Sequence, residues 1–457
     1  MLRLFRSLVP ALLCSPLLLA AESGTSGADL SKSKGDTANS ETPDLKGWVR
    51  RSDPAMEKWR DNRFGCFIHF GIYSILGGQW NDKEVPGAAE WIKVGGKIPS
   101  AEYDKLVKQF TLENFDAKRW AADIKKMGAK YVIITTKHHD GFCLWDSKLT
   151  DYDIGSSPTK HAVLKELADA VRAEGMDMYF YYSIIDWHNP DYRAADPKTP
   201  EDQAAYARYL EFMKGQLKEL LTDFGDIKGL WFDGRWDASY KNHPDIGKSL
   251  EAWLRELKPG IVLGDRVRAY DSFADYNSGY ERKLPKTQPL LDWEACMTIP
   301  ENSWGYHKTW SGAGRKTPKT LVEMLVRSAA MSGNFVLNIG PKGDGTFAEK
   351  DVERMKPIGE WMKRNGASIY GTEGLALTLP AGNYATRKDD RVFIHSFQWP
   401  ENDKLALKGL PGPIKSCTLM TPEGEKTIRF QGETLIDLPL TAPDAIDSVF
   451  TVTVGTK

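Results

Sequence analysis

The sequence predicts an α/β fold, a (β/α)8-like TIM barrel over residues 46–367 followed by a C-terminal antiparallel β-sandwich over residues 368–457. In the first region, short apolar runs alternate with amphipathic helical segments, which is typical of a parallel sheet covered by helices. In the second region, short alternating segments are separated by Gly, Pro, Asn and Asp, which is typical of antiparallel strands and turns. A doubly wound open sheet is the rival fold, but no GxGxxG motif follows the first apolar run.

The barrel prediction depends on apolar segments that are short enough to be buried strands. They are residues 65–71, 130–138, 176–183, 229–234, 261–266, 291–297 and 333–341. Between them, residues 161–175 and 202–225 have apolar side chains at helical spacing and end in a glycine, which predicts two helices. A closed barrel needs an eighth strand, and no further apolar segment marks its position.

The N-terminus has the pattern of an export signal. Arg3 and Arg6 precede an apolar run that is too short to span a bilayer, and small residues at Ala21 offer a cleavage site, so residues 1–21 are a predicted signal peptide. Residues 22–45 are rich in Ser, Gly and Thr and predict a disordered linker. We therefore expect an exported protein, periplasmic, extracellular or lumenal, with no membrane contact after signal cleavage. The sequence is compatible with a homo-oligomer.

Charge and cysteine content exclude several classes of protein. The chain has 61 basic and 62 acidic residues, so its net charge of −1 indicates neither nucleic acid nor an anionic membrane as partner. After signal cleavage the cysteines are Cys66, Cys143, Cys296 and Cys417. They are widely spaced and form no CxxC motif, which argues against structural zinc and indicates buried free thiols.

Polar residues lie at or near the ends of the predicted barrel strands. They are His69, Lys137, His138, His139, Asp140, Tyr181, Tyr182, Ser183, Asp233, Arg266 and Glu294. Because the C-terminal ends of all the strands of a barrel meet at one mouth, this pattern predicts a single active site there.

The residue types at this mouth favour a pair of carboxylates over a metal ion. His138 and His139 are adjacent, so on a regular strand they would point to opposite faces, and the sequence has no HExxH motif. Glycoside hydrolysis instead needs one carboxylate as nucleophile or base and a second carboxylic acid to protonate the leaving oxygen. Asp233, which lies between Trp231 and Trp236, suits the first role. No metal ion or organic cofactor is expected.

A set of motifs makes the prediction more specific. The chain contains "FGCFIHFGIYSILGGQW", "AEWI", "KYVIITTKHHDGFCLWDS", "YYSIIDWH", "GLWFDG", "WEACMTIPENSWGY" and "GNFVLNIGPKGDG". Together these motifs resemble the α-L-fucosidases of glycoside hydrolase family 29, over about Trp59 to Tyr370. The resemblance implies a (β/α)8-like barrel followed by a β-sandwich. It also implies an exo-acting, retaining α-L-fucosidase that acts on fucosylated glycans or polysaccharides through a covalent glycosyl-enzyme intermediate.

The same resemblance implies roles for individual residues. It makes Asp233 the nucleophile. It implies contacts with the sugar from His69, Glu90, Trp91, His138, His139, Tyr182, Trp231 and Arg266. The acid/base is a glutamate on a variable segment, for which Glu281 is the first candidate and Glu294 the second, with Glu90 among the remaining candidates. The chain has "GYE" at Glu281 where relatives tend to carry "TPE", which leaves the assignment open.

Two other functions are compatible with this pattern. One is an α-L-galactosidase of the same fold, because α-L-galactosides differ from α-L-fucosides only by a hydroxyl at C6. The other is a catalytically inactive fucose-binding barrel. The presence of Asp233 together with several candidate glutamates argues against an inactive barrel.

Overall fold

The structure is a computed structural model that describes residues 49–301, 303–309 and 314–456. The predicted signal peptide and linker lie outside the described residues, so export stays a prediction. In the described part of the chain, no helix is both long enough and apolar enough to cross a membrane.

Eight parallel strands form the barrel. They are β1 (Phe64–Ile68), β2 (Tyr131–Lys137), β3 (Asp177–Ser183), β4 (Ile227–Asp233), β5 (Val262–Leu263), β6 (Asn277–Glu281), β7 (Trp293–Thr298) and β8 (Asn334–Ile339). Their order in the sheet is β5-β4-β3-β2-β1-β8-β7-β6. The two edge strands are joined by a parallel bridge between Gly264 and Tyr276, just beyond β5 and just before β6. The sheet therefore curls until its edges meet, as the sequence predicted.

Helices surround this sheet. The longer ones are α1 (Pro54–Asn62), α2 (Ala117–Met127), α3 (Val163–Ala173), α4 (Pro200–Thr222), α5 (Pro244–Leu257), α6 (Pro318–Ala330) and α7 (Glu349–Asn365). Asp53, Asp116, Thr199 and Thr317 cap four of them, because each side chain accepts a hydrogen bond from a backbone N–H of the first turn. β5 and β6 are followed by irregular segments instead of α-helices, which is why the barrel is only (β/α)8-like.

The strand that has no apolar segment in the sequence is β6. Its residues, "NSGYE", are mostly polar and include a glycine, so neither a run nor an alternation of apolar side chains marks it. It forms because its backbone pairs with β7 and because Asp265 accepts hydrogen bonds from the backbone N–H and the hydroxyl of Ser278. The predicted acid/base candidate Glu281 is the last residue of this strand.

The barrel interior is filled mainly by aromatic rings. They include Phe67, Tyr131, Tyr179, Tyr181, Trp231 and Tyr276, with the smaller Ile133, Val262, Cys296 and Val336. The opposite faces of the same strands pack against the helices in a separate, larger apolar cluster. Both faces of the strands are therefore buried, as expected for a parallel sheet.

The C-terminal region consists of two antiparallel sheets. Their strands are β9 (Glu373–Gly374), β10 (Asn383–Lys388), β11 (Arg391–Ser396), β12 (Leu405–Ala406), β13 (Ile414–Thr421), β14 (Gly424–Thr427), β15 (Arg429–Gln431), β16 (Thr434–Ile436) and β17 (Ser448–Val454). One sheet has the order β9-β10-β11-β17-β13-β14 and the other β12-β16-β15. They enclose an apolar core of their own, in agreement with the predicted β-sandwich.

Cys66, Cys143, Cys296 and Cys417 are free and buried. Burial raises the pKa of each thiol, so these side chains are neutral, unreactive parts of the core. The prediction of buried free thiols is confirmed.

Candidate active site

Two carboxylates and one guanidinium form the centre of the barrel mouth. Asp233 is the last residue of β4, Arg266 lies in the turn after β5, and Glu281 ends β6. Arg266 Nη1 donates to Asp233 Oδ1 at 2.6 Å, and its other terminal nitrogen, Nη2, lies 2.5 Å from Glu281 Oε1. One planar guanidinium therefore holds both carboxylates, which places them within a few ångströms of each other.

The environment of Asp233 explains how a charge can lie among aromatic rings. Burial raises the pKa of this carboxyl, and the contact with Arg266 and a hydrogen bond from the Tyr181 hydroxyl to Oδ2 (3.0 Å) oppose that shift. The buried charge is thus paired and hydrogen-bonded, which is what makes a buried carboxylate tolerable.

His138 and His139 both reach the mouth because β2 is irregular near its end. The pairing of β2 with β3 shifts register between Thr135 and Lys137, and a turn begins immediately after Lys137. The two imidazoles lie with ring centroids 4.3 Å apart, and the His138 ring stacks on Tyr181. The opposite-faces rule for a regular strand therefore does not apply to this pair.

His69 and His139 each present an acceptor nitrogen. Asn338 Nδ2 donates to the Trp304 carbonyl, so Asn338 Oδ1 accepts from His69 Nδ1 at 2.6 Å. In the same way, the Ser183 hydroxyl donates to a backbone carbonyl and accepts from His139 Nδ1 at 2.6 Å. Each neutral ring is left with an Nε2 lone pair that can accept a hydrogen bond.

All three histidines are held neutral. Burial lowers the pKa of His69 to about 3 and that of His139 to about 3, and it moves the pKa of His138 in the same direction. His139 Nε2 lies 3.6 Å from Asp233 Oδ2. Both atoms are acceptors, so they do not form a hydrogen bond with each other. A ligand hydroxyl placed there could donate to either atom.

Glu90 and Trp91 approach the mouth from the long connection after β1. Glu90 is 1% exposed, and its Oε2 accepts from the backbone N–H groups of Trp304 and Gly305 at 3.2 and 2.8 Å. Burial raises the pKa of Glu90 to about 7, although these two backbone contacts oppose the shift. Trp91 packs edge-on against His139, with ring centroids 5.1 Å apart.

Aromatic rings form the wall of the site. Trp187 and Trp236 both contact Trp91 and His139, and the Trp304 ring lies 5.1 Å from that of His69. All four indoles are partly exposed. Such a wall provides apolar faces for a sugar ring or its substituents.

Within the described residues, the buried atoms His138 Nδ1 and Glu90 Oε1 near the mouth have no hydrogen-bond partner. A buried polar atom without a partner is costly, so a ligand that supplies the partner would stabilise the site. Together with the acceptor nitrogens of His69 and His139, they favour a ligand that is rich in hydroxyl groups.

Tyr182, for which a contact with the sugar is predicted, does not lie at the mouth in the structure. Tyr182 points outward into the helical layer, where its hydroxyl donates to Gln216 Oε1 at 2.7 Å. Tyr181, one position earlier, faces the barrel interior and bonds Asp233. Because both faces of β3 are buried, its sequence has no apolar–polar alternation that would show which tyrosine faces the barrel interior. The strand pairing shows it, because Tyr181 is paired with Trp231 of β4, which lies in the interior.

Glu294 is not placed where a catalytic residue would lie. It is the second residue of β7, so it lies near the N-terminal end of the strand, below the mouth, and it is 1% exposed. Tyr131 and Trp231 donate to its two carboxylate oxygens at 2.6 and 3.1 Å. Trp231 is itself 2% exposed and lies beneath Arg266, with the guanidinium 4.6 Å from the ring.

Phenylalanine substitutions of Tyr181 and Tyr182 test where the structure places these two side chains. We expect Tyr181→Phe to lower kcat/KM by about ten- to a hundredfold, because Asp233 loses a hydrogen bond to a charged oxygen. We expect Tyr182→Phe to leave kcat/KM unchanged and to lower the free energy of unfolding by about 1–3 kcal/mol, because buried Gln216 loses its donor. Steady-state kinetics and urea unfolding of both variants check this. A loss of activity in the Tyr182 variant alone would contradict the assignment.

No group of three or more His, Cys, Asp or Glu side chains that could hold a metal ion occurs within residues 49–301, 303–309 and 314–456. His69 and His139 instead have hydrogen-bond partners that orient them as acceptors. The arrangement can bind a polyhydroxylated ring and can present two carboxylates to it.

Comparison with known proteins points to one family. A family model described as alpha-L-fucosidase matches residues 33–367. The plasma alpha-L-fucosidase of Homo sapiens is 30% identical over 401 residues, which cover 81% of this chain and 82% of that protein. The alpha-L-fucosidase of Dictyostelium discoideum is 30% identical over 434 residues, which cover 87% and 91% of the two chains.

Solved structures give the same result. A glycoside hydrolase family 29 alpha-L-fucosidase from Bacteroides thetaiotaomicron matches with 43% identity and a TM-score of 0.84, covering 89% of this chain and 96% of that one. A second structure of an enzyme from that organism is a trapped covalent intermediate in complex with 2-fluoro-fucosyl fluoride. It matches with 43% identity and a TM-score of 0.84, covering 89% of this chain and 97% of that one.

Proposed function

The chain belongs to the α-L-fucosidase family, and from that premise we propose how its active site hydrolyses terminal α-L-fucosyl groups. The enzyme is a retaining glycoside hydrolase. Asp233 is the nucleophile and Glu281 is the acid/base.

In the first step Asp233 attacks the anomeric carbon. A bond forms between a carboxylate oxygen and C1, the bond from C1 to the glycosidic oxygen breaks, and Glu281 gives its proton to the departing oxygen. In the second step Glu281 takes a proton from water, the water oxygen attacks C1, and Asp233 leaves. Two inversions at C1 give a product with the configuration of the substrate.

The observation that carries this proposal is the pair of contacts made by Arg266. A retaining mechanism needs two carboxyl groups about 5–5.5 Å apart. Asp233 and Glu281 bind the two terminal nitrogens of one guanidinium, which supports a short separation between the two carboxyl groups. Glu294 is separated from the mouth by Trp231, which donates to it from above.

The remaining site residues suit the sugar. The acceptor nitrogens of His69 and His139 and the unpartnered atoms of His138 and Glu90 can bind ring hydroxyls. Because these histidines are neutral, they do not repel the positive charge that develops on the sugar ring. Among the partly exposed indoles of the wall, Trp91 can contact apolar parts of the fucose.

The test is hydrolysis of paired aryl glycosides. We expect kcat/KM for 4-nitrophenyl α-L-fucoside to exceed that for the α-L-galactoside by about 10²-fold, since an apolar wall rejects an added hydroxyl only that strongly. Proton NMR of the fucoside reaction should show α-L-fucose as the first product. Faster cleavage of the galactoside would change the substrate assignment, and β-L-fucose as the first product would exclude the double displacement. Ligand binding without turnover would indicate an inactive barrel.

A further inference from the structure

We propose that Glu294 is a positioning residue, which holds the Trp231 indole and thereby fixes the Arg266 guanidinium between Asp233 and Glu281. The proposal rests on the catalytic roles proposed above. It assigns a function to a buried carboxyl group that those roles leave unused.

The first link joins Glu294 to Trp231. Glu294 Oε1 accepts from Trp231 Nε1 at 3.1 Å, and Oε2 accepts from the Tyr131 hydroxyl at 2.6 Å. Since Tyr131 comes from β2, Trp231 from β4 and Glu294 from β7, the carboxyl group ties together three strands across the barrel interior. The hydrogen bond to Nε1 fixes the rotation of the indole, which apolar packing alone would not.

The second link joins Trp231 to Arg266. The Arg266 guanidinium lies over the indole at 4.6 Å, a distance at which the ring face attracts a cation. Donation of the indole N–H to a carboxyl oxygen polarises the ring toward negative charge, which strengthens that attraction. The guanidinium is thus supported from below by the ring and bonded from above by both carboxylates.

A purely structural role accounts poorly for a carboxyl group at this position. An apolar side chain of similar size would avoid the cost of desolvating a carboxyl group, which is often the more stable choice in a core. Burial raises the pKa of Glu294 to about 7, although the hydrogen bonds from Tyr131 and Trp231 oppose this shift. In either protonation state the group retains an oxygen that accepts from the indole.

The charged and titratable groups around Asp233 and Glu294 determine how a substitution of Glu294 would alter the pKa of Asp233. Arg266, Tyr181 and His139 face Asp233, and Glu281 lies on the far side of Arg266. Tyr131, Tyr179, Tyr276 and Cys296 surround Glu294, and burial raises the pKa of each of them, so they stay neutral in the working range. Arg266 is therefore the group whose displacement would alter Asp233.

The sign of the expected change follows from that arrangement. Arg266 lowers the pKa of Asp233 against the effect of burial. If Arg266 is held less firmly, the pKa of Asp233 rises, and the acid limb of the kcat/KM profile moves to higher pH. Replacing Glu294 removes its hydrogen bonds with Trp231 and Tyr131.

The experiment compares Glu294→Leu with Glu294→Gln, which keeps a carbonyl oxygen for the indole. We expect the leucine variant to lose kcat by about 10²-fold, the cost of a small displacement in an active site, and to shift the acid limb upward. We expect the glutamine variant to lose much less and to keep the limb in place. Val336→Ala is the matched control, because Val336 lies in the same interior cluster outside this chain of contacts. It should lower the melting temperature without moving the limb.

Two further measurements keep the proposal falsifiable. Trp231→Phe keeps an aromatic ring but removes the N–H, so it should shift the limb in the same direction even if the leucine variant does not fold. Crystal structures of the variants show directly whether Arg266 keeps both contacts, without depending on activity. If Arg266 and the acid limb are unchanged in the leucine or phenylalanine variant, the proposal is wrong. Failure of the proposed catalytic roles would appear separately, as activity that survives the loss of Asp233.

Discussion

Replacing Asp233 with glycine is expected to lower kcat for an aryl α-L-fucoside by at least about 10³-fold, the scale seen when a nucleophile is removed. Without the carboxylate, no group can form the bond to C1. The variant should stay folded, because the substitution removes a raised-pKa carboxyl that burial disfavours, although Arg266 loses one of its two anionic contacts. Circular dichroism and single-turnover kinetics check both statements.

Azide makes the result specific to a nucleophile. In the glycine variant a small anion can occupy the space of the carboxylate and attack C1 directly. We expect azide to restore turnover and to give β-L-fucosyl azide, with a single inversion. The wild-type enzyme under the same azide concentration is the control and should form no such product. An Asp233→Gly enzyme that azide does not rescue, or that keeps its activity without azide, would remove Asp233 from the mechanism.

Replacing Glu281 with glycine should give a different pattern. With a poor leaving group, kcat/KM should fall by about 10²–10⁴-fold, the usual contribution of general acid catalysis. With a leaving group such as 2,4-dinitrophenolate, which needs no proton, kcat/KM should change little, while hydrolysis of the glycosyl-enzyme becomes slow. Azide should then give α-L-fucosyl azide with retained configuration, because the attack follows formation of the covalent intermediate.

The comparison of Glu281 with Glu90 and Glu294 decides the acid/base. Glu294→Gln should show no dependence on the leaving group, because Glu294 lies below Trp231 and does not reach the mouth. Glu90 is the rival if Glu281→Gly behaves like the wild type. Its pKa of about 7 suits an acid, but its Oε2 is engaged by the backbone of Trp304 and Gly305. Glu281, which shares Arg266 with the nucleophile, is the better candidate.

Much of the site could be predicted because the barrel places strand ends together. Asp233 follows a run of apolar residues, and the position of such a residue at the mouth depends only on the direction of its strand. By the same reasoning His69, His138, His139 and Arg266 are expected at this mouth, and in the structure they lie close to one another and to Asp233. For the histidine pair, the irregular end of β2 also had to be inferred.

Other parts could not be predicted because they depend on position within a strand. Tyr181 and Tyr182 are chemically identical, and a one-residue difference in register decides which one faces the interior. Glu294, like Asp233, faces the barrel interior, but it lies near the N-terminal end of its strand. An apolar segment in the sequence does not show at which residue the strand begins or ends, so this difference could not be predicted. The strand that ends in Glu281 depends on backbone pairing with β7, for which its polar residues provide no signal.

The parallel bridge between Gly264 and Tyr276 determines where the barrel sheet can open locally. Arg266 and Glu281 lie on opposite sides of this junction, whereas Asp233 and Arg266 lie on the same side. A junction held by few backbone hydrogen bonds opens locally at lower free energy than the rest of a sheet. Each such opening would carry Glu281 away from Asp233 while leaving His69, His138 and His139 in place. Local opening at this junction would therefore separate the groups that are proposed to act in the first chemical step.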